Sequence, residues 1–445
     1  MTDRPPGRPH SLSAGQFTGL ARGGGDTDAI AQLVAAQRSK HLILLAKVAE
    51  LARRGGHPDD ALAVAGYRLL AQAQRLDPGA AAEVIGYPSV GAWALHIIQA
   101  DRAKAGEPPA DVPPPDVPLP AGTLPDARPS GLAAIAAAAA IRAGLAAEIE
   151  VPVANGGVLL PSLGAADAAG RTAVVDTGTA EVRSGSLRVP VRAGAPRWRE
   201  LRRATAETLD VLVDDLDPFR MPAADGEPTG RLTPARIEEL RAALRAAWPA
   251  LAPASAAEVA AIVRVIVPYQ GPEHGHVSTS SPQAFGTVAM SRQPDRYTCA
   301  ETLVHETQHL KLCALLDLVA LTRPDDGQRY YAPWRPDPRP ASGLLQGAYA
   351  FFGVSGFWRQ QRRAAPEPEI RQRAHTEFAR WRDGAAAVAA TLLGSGQLTE
   401  SGTAFVKTMA AVLEDWRREP VPGDALATAR RQADRHRAQW QADNG

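Results

Sequence analysis

Apolar residues recur at helical spacing along much of this chain. Leu33, Val34, Leu42, Leu44, Leu45, Val48 and Leu51 follow the cap signal Asp26-Thr27-Asp28-Ala29, which predicts a helix that Gly55-Gly56 ends. Asp59 opens the next, running through Leu70, and a third apolar stretch covers residues 90–98. Residues 107–129 hold nine prolines and predict an extended linker, because proline removes the backbone donor that helix and sheet need. The alanine-rich run 132–147 predicts a helix, with Ile135, Ile141 and Leu145 as its stripe.

The period then shortens. Residues 151–153, 157–160, 172–176, 180–182 and 187–191 read as short strands between Gly-containing turns. Helical spacing returns at 236–248 and 256–265. A strand at 285–291, preceded by Ser278–Ser281, leads into an uninterrupted helical pattern over 298–319. Its free edge would suit an added peptide strand, and an ordinary core strand is the other reading. Residues 343–358 form an apolar helix in which Gly347 and Gly353 would allow close helix contact. The chain is helical from 368 to its end, with a break at 394–399.

Inside the 298–319 helix stands His305-Glu306-Thr307-Gln308-His309. Positions i and i+4 share a helix face, so the two imidazoles can hold one transition-metal ion with Glu306 beside them as base or orienting group. The other reading is two histidines hydrogen-bonded on a buried face. Cys313, one turn on, reads as a buried apolar cysteine rather than a thiolate ligand.

Composition narrows the classes. A formal net charge of +1 gives no overall field for nucleic acid or an anionic membrane. Lysine occurs only at 40, 47, 104, 311 and 407. No apolar run reaches membrane-span length and the start lacks the hydrophobic core of a signal peptide, so a cytoplasmic protein is expected. Two cysteines, Cys299 and Cys313, suit a reducing compartment.

The stretch from Leu303 to Val319, with its His-Glu-x-x-His core, resembles the HEXXH-motif peptide-modification protein family, found beside radical SAM enzymes and short precursor peptides with FxSxx-type tails. Tyr331–Pro340, Leu344–Ala350, Phe378–Arg382 and the amino-terminal His10-Ser11-Leu12-Ser13 with Phe17 and Leu20-Ala21 resemble the same family. The resemblance covers nearly the whole chain. It implies a tailoring enzyme for ribosomally made peptides that uses iron(II) and 2-oxoglutarate to hydroxylate a β-carbon, with His305 and His309 as ligands and a radical SAM maturase as a possible partner. Some relatives carry a histidine near the position of Phe351, where this chain departs.

Two mechanisms share the motif. A 2-oxoglutarate hydroxylase needs a third protein ligand and an arginine for the keto acid's distal carboxylate. Arg335 and Arg339, in a loop dense in aromatics, are the candidates, with Tyr331, Trp334 and Gln346 as pocket residues; solvated arginines beside prolines are the bland reading. A zinc peptidase would use Glu306 as general base. The usual extension to a third histidine is absent here, and residues 310–366 contain no glutamate. For the third ligand the sequence offers His276 and Glu377, ahead of Asp317, Gln346 and His274. A non-catalytic peptide-docking protein is the remaining alternative.

The fold expected is α+β, mostly α. A helical amino-terminal region (1–106), a Pro-rich linker (107–130) and a helix with a β-rich insert (131–230) precede a helical His-Glu-x-x-His metal domain (231–445).

Overall fold

The computed structural model describes residues 9–106, 127–222, 227–272 and 275–444. Most of the Pro-rich linker, and His274, lie outside the described residues. What is described is an α+β fold dominated by helix. Six helices come first: α1 (Ala14–Ala21), α2 (Thr27–Arg54), α3 (Asp60–Leu76), α4 (Pro78–Ile85), α5 (Pro88–Lys104) and α6 (Gly131–Arg142). Asp26 caps α2 through Ala29 N, and Gly55 ends it at φ +79°. The helix expected over 132–147 stops earlier, because Gly144 adopts φ +65° just beyond Arg142.

Nine strands follow: β1 (Glu148–Pro152), β2 (Gly157–Leu160), β3 (Gly164–Asp167), β4 (Thr172–Asp176), β5 (Glu181–Ser184), β6 (Leu187–Pro190), β7 (Trp198–Glu200), β8 (Arg202–Ala206) and β9 (Leu209–Val213). Two small antiparallel sheets use β1-β4-β5-β6 and β2-β3-β7. The remaining elements are α7 (Pro234–Ala247), α8 (Pro253–Ile262), β10 (Val265–Pro268), β11 (Ser278–Thr279), β12 (Thr287–Met290), α9 (Arg296–Leu316), α10 (Ala341–Ala364), α11 (Pro368–Gly394), α12 (Glu400–Arg417) and α13 (Gly423–Asn444).

A five-stranded sheet, β11-β12-β10-β9-β8, divides the molecule into two cores. Strands β9, β10 and β12 run parallel, and β8 and β11 are antiparallel edges. Ile266, Val288 and Met290 enter one core with α7 to α12. Val265, Val267 and Ala289 face the other, with α3 to α6 and the small sheets. Burial on both faces explains why Val265–Pro268 and residues 288–290 are continuous apolar runs without alternation. Helix α2 enters both cores, through Ile30 and Leu33 at one end and Leu45 to Ala52 at the other.

The sheet corrects part of the sequence reading. The helix expected over 256–265 ends at Ile262, and Val265 already pairs with Thr287 and Leu212. Strands β8 and β9 went unread because the inward residues of β8 are Ala204 and Ala206, small and poor in strand signal. Their turn, with Glu207 at φ +48°, also lacks the Asn-Gly signature. Pairing of β9 with β10 carries the sheet across residue 230, so segments 131–230 and 231–445 share one sheet.

Candidate metal centre

Helix α9 leaves β12 through a short loop and starts at Asp295, whose carboxylate accepts the Tyr297 and Thr298 amides at 2.8 and 2.9 Å. The helix then runs buried on almost every side. Its residues that are not buried are Arg296, Glu301, His305, His309, Cys313 and Leu316. Glu301, His305, His309 and Cys313 are four apart, so they form one stripe along a single face. The part-buried line of this helix is therefore made of four residues of metal-binding type.

At the stripe's centre, His305 Nε2 and His309 Nε2 lie 3.1 Å apart, with ring centroids at 4.7 Å. On the far side of His309, Nδ1 is 3.2 Å from the Gln346 Oε1 acceptor on α10. That contact puts the proton on Nδ1, so neutral His309 presents a bare Nε2 lone pair to His305. Either His305 donates a proton to it, or both lone pairs meet an ion. Two nitrogens on one ion at about 2.0–2.1 Å can be at most about 4.2 Å apart, and the pair falls inside that limit. Burial holds His305 well below the usual imidazole pKa, so the ring is neutral, the form a metal requires.

Three other polar residues of α9, Glu306, Gln308 and Lys311, are tied elsewhere. Glu306, 1% exposed, accepts a hydrogen bond from Ser278 Oγ of β11 at 2.7 Å through Oε1. Its Oε2 is buried without a partner among the described residues. Lys311 Nζ reaches Gly23 O at 2.9 Å and Glu258 Oε2 at 2.7 Å, and Gln308 Nε2 donates to the same Gly23 carbonyl at 2.8 Å. Gly353 gives Gln308 its room, since a Cβ there would sit 2.5 Å from the Gln308 side chain. The close α9–α10 contact expected from that glycine is present, and α10 passes through both glycines without a break.

Aromatic rings wall the imidazoles. Phe351 meets His305 edge-on at 5.0 Å, Trp334 stacks on Phe351 at 4.9 Å, and Trp381 packs on Phe351 at 4.2 Å. Gly347 makes space for Trp334, whose Nε1 would lie 2.3 Å from an added Cβ. Tyr331 turns toward α13, where its hydroxyl meets His436 Nδ1 at 2.9 Å. Arg335 Nε and Arg339 Nη1 each donate to Asp337, both at 2.9 Å, so two guanidiniums share one carboxylate of their own loop.

The proposed further ligands are dispersed. Asp317 accepts from Gln37 and Lys40 of α2. His276 lies before β11, where partial burial and then the Arg373 charge of α11 lower its pKa against the opposing charge of Asp295. Glu377 lies beside Glu301, whose carboxyl is pushed up to about 7 by burial and by the Glu377 charge. The sequence reading overlooked Glu301, although its place four residues before His305 is visible in the chain. Cys313 is part-buried on that stripe, not enclosed as expected, and takes the Gln346 amide at 3.5 Å. Among the described residues no group of three or more His, Cys, Asp and Glu side chains is placed to hold an ion. The residues therefore fit a metal at two positions, His305 and His309, and gather no third. No protein-family model matches the chain, and no curated protein matches it.

Replacing Gln346 by Leu removes the acceptor that fixes His309. Metal affinity, measured by competition with a chromophoric chelator, is expected to fall about 10–100-fold with the fold intact; unchanged affinity would contradict the role.

Glu301 supplies a pH test. Between its ordinary value of 4.5 and about 7 the unfolded chain releases a proton that the folded one keeps, so this group subtracts stability as pH rises through that window. In metal-free protein, Glu301→Gln should melt higher than the parent at pH 8 and lose that advantage near pH 4.5. Melting curves that run parallel across the range would refute the buried acid.

Proposed function

We propose that this chain is a metal-dependent enzyme that modifies a ribosomally made precursor peptide. The observation that supports metal dependence is the part-buried stripe of α9, with its two imidazole nitrogens 3.1 Å apart and His309 steadied by Gln346. His305 and His309 would hold the ion. Iron(II) with 2-oxoglutarate would supply oxygen activation for β-hydroxylation, and zinc(II) would supply a Lewis acid for hydrolysis. The resemblance of the motif and its later blocks to the HEXXH-motif family supports hydroxylation, a precursor peptide as substrate and a radical SAM maturase as partner.

The chain's own residues suit that reading. Strand β11 is the sheet edge next to Glu306, and an extended peptide can pair with such an edge through its backbone. Arg335 and Arg339 already converge on one carboxylate, that of Asp337, which a co-substrate carboxylate would replace or join. Trp334 and Phe351 exclude water from the His305 side. Among the described residues no helix is long and apolar enough to cross a membrane. Cys299 and Cys313 form no disulfide with one another, and reduced cysteines suit a cytoplasmic location.

A zinc peptidase is the second reading, favoured by one observation. The buried Glu306 Oε2 has no partner among the described residues, as a base waiting for a water proton would not. Against it stands the lack of any glutamate in 310–366.

Incubating the protein with the precursor peptide encoded beside its gene separates the readings by mass. With iron(II), 2-oxoglutarate and oxygen the peptide should gain one oxygen atom, and His305→Ala should abolish the gain. Fragments with zinc alone would establish the peptidase. An intact, unchanged peptide in both arms would contradict both and leave peptide docking.

A further inference from the structure

A cavity of about 300 Å³ lies between α2, α4, α8 and the strands β8 and β9, and none of its lining residues belongs to α9 or the helices after it. That volume is at the small end of the range for small-molecule sites, whereas packed interiors leave few voids larger than a water. Val34, Leu212, Ile262 and Phe285 give it an apolar floor.

Six charged side chains line it: Arg38, Glu83, Arg142, Arg203, Asp210 and Arg264. Both carboxylates are already engaged. Glu83 is 2.9 Å from Arg142, which also donates to the Ser162 hydroxyl and carbonyl, and Asp210 takes Arg203 at 2.5 Å. Arg38 and Arg264 are exposed, and neither has a hydrogen-bond or ion-pair partner among the described residues. The other titratable rings of the wall add no charge. His41 donates from Nδ1 to the Ile85 carbonyl at 2.7 Å, and burial lowers its pKa. Tyr87 donates its hydroxyl to Asp214 at 2.7 Å. Four guanidiniums against two carboxylates leave an excess of two positive charges.

The central sheet brings these cations together. Arg203 stands opposite Leu212 in the β8–β9 ladder, and on the other side the Leu212 amide donates to the Arg264 carbonyl at 3.0 Å. The two arginines therefore flank Leu212 of the floor, their backbones about 10 Å apart, two strand spacings, which long side chains can bridge through one small ligand. Burial lowers the pKa of Arg142 against the pull of Glu83, and the Arg203 charge lowers it further, so these guanidiniums also feel one another. Like charges gathered around an apolar floor repel one another, and an anion between them relieves that repulsion.

We propose that this cavity binds a phosphomonoester, with the phosphate between Arg38, Arg203 and Arg264 and a small apolar body on Leu212, Ile262 and Phe285. The two unpartnered guanidiniums match the charge of about −1.5 to −2 that such a phosphate carries at neutral pH, and their planar forks match its oxygens. A monoanion would leave one guanidinium unanswered. The site does not depend on whether α9 holds a metal.

Titration calorimetry on the full chain tests it with phenyl phosphate, benzenesulfonate and inorganic phosphate. Phenyl phosphate should bind at least about tenfold more tightly than the sulfonate, which has the same shape and one charge fewer, and than inorganic phosphate, which lacks the body. The double variant Arg38→Gln, Arg264→Gln changes two exposed, unpartnered side chains, so it should melt as the parent does and bind phenyl phosphate at least about tenfold more weakly. Ala261→Glu, at an exposed position of the wall, should abolish binding by placing a carboxylate where the phosphate sits. No binding of phenyl phosphate, equal binding of the sulfonate or of inorganic phosphate, or affinity that survives the double variant would overturn the site.

Discussion

A helix buried on nearly every side must find a partner for each polar side chain it carries, because a buried donor or acceptor left unpaired costs about 1–3 kcal/mol. Helix α9 meets this constraint at Glu306 Oε1, Gln308 Nε2 and Lys311, while Glu306 Oε2, Thr307 Oγ1 and Gln308 Oε1 have no partner among the described residues, and much of the molecule is arranged around the pairs that are made. Asp295 serves its first amides, Ser278 serves Glu306, and Gly23 with Glu258 serves Gln308 and Lys311. Those partners come from the sheet edge, from the link between α1 and α2, and from α8. Satisfying one helix therefore fixes the position of several others.

The imidazole pair stands apart from that pattern. His309 is held from behind by Gln346, but in front it has only His305. Two neutral rings with nitrogens at that distance either share a proton or share an ion. Phe351, Trp334 and Trp381 close the His305 side with hydrocarbon, and burial keeps His305 neutral. Buried polar groups anchor the helix, and the groups left part-buried on it include those with chemistry to offer.

The long helices were legible because their apolar residues keep a steady period and their ends carry caps, as Asp26 and Gly55 do for α2. The motif histidines were legible for the same reason: a four-residue step on a helix is a statement about one face. The β8–β9 hairpin was hidden by inward alanines, and the central sheet by strands separated in sequence by α7 and α8. Burial also could not be read from the motif segment, since α9 is apolar and polar all round and its part-buried line emerges only from packing. That is why Glu301 escaped notice and Cys313 was read as enclosed. The pairing of Arg335 and Arg339 on Asp337 depends on a loop whose path no periodicity encodes.

The central claim is that His305 and His309 together bind one metal ion. X-ray absorption spectroscopy of the metal-loaded protein tests it most directly. The account predicts two imidazole nitrogens at about 2.0–2.1 Å in the first shell, with their multiple-scattering signal lost in the His305→Ala, His309→Ala double variant. A first shell without imidazole, or an unchanged spectrum in that variant, would contradict it.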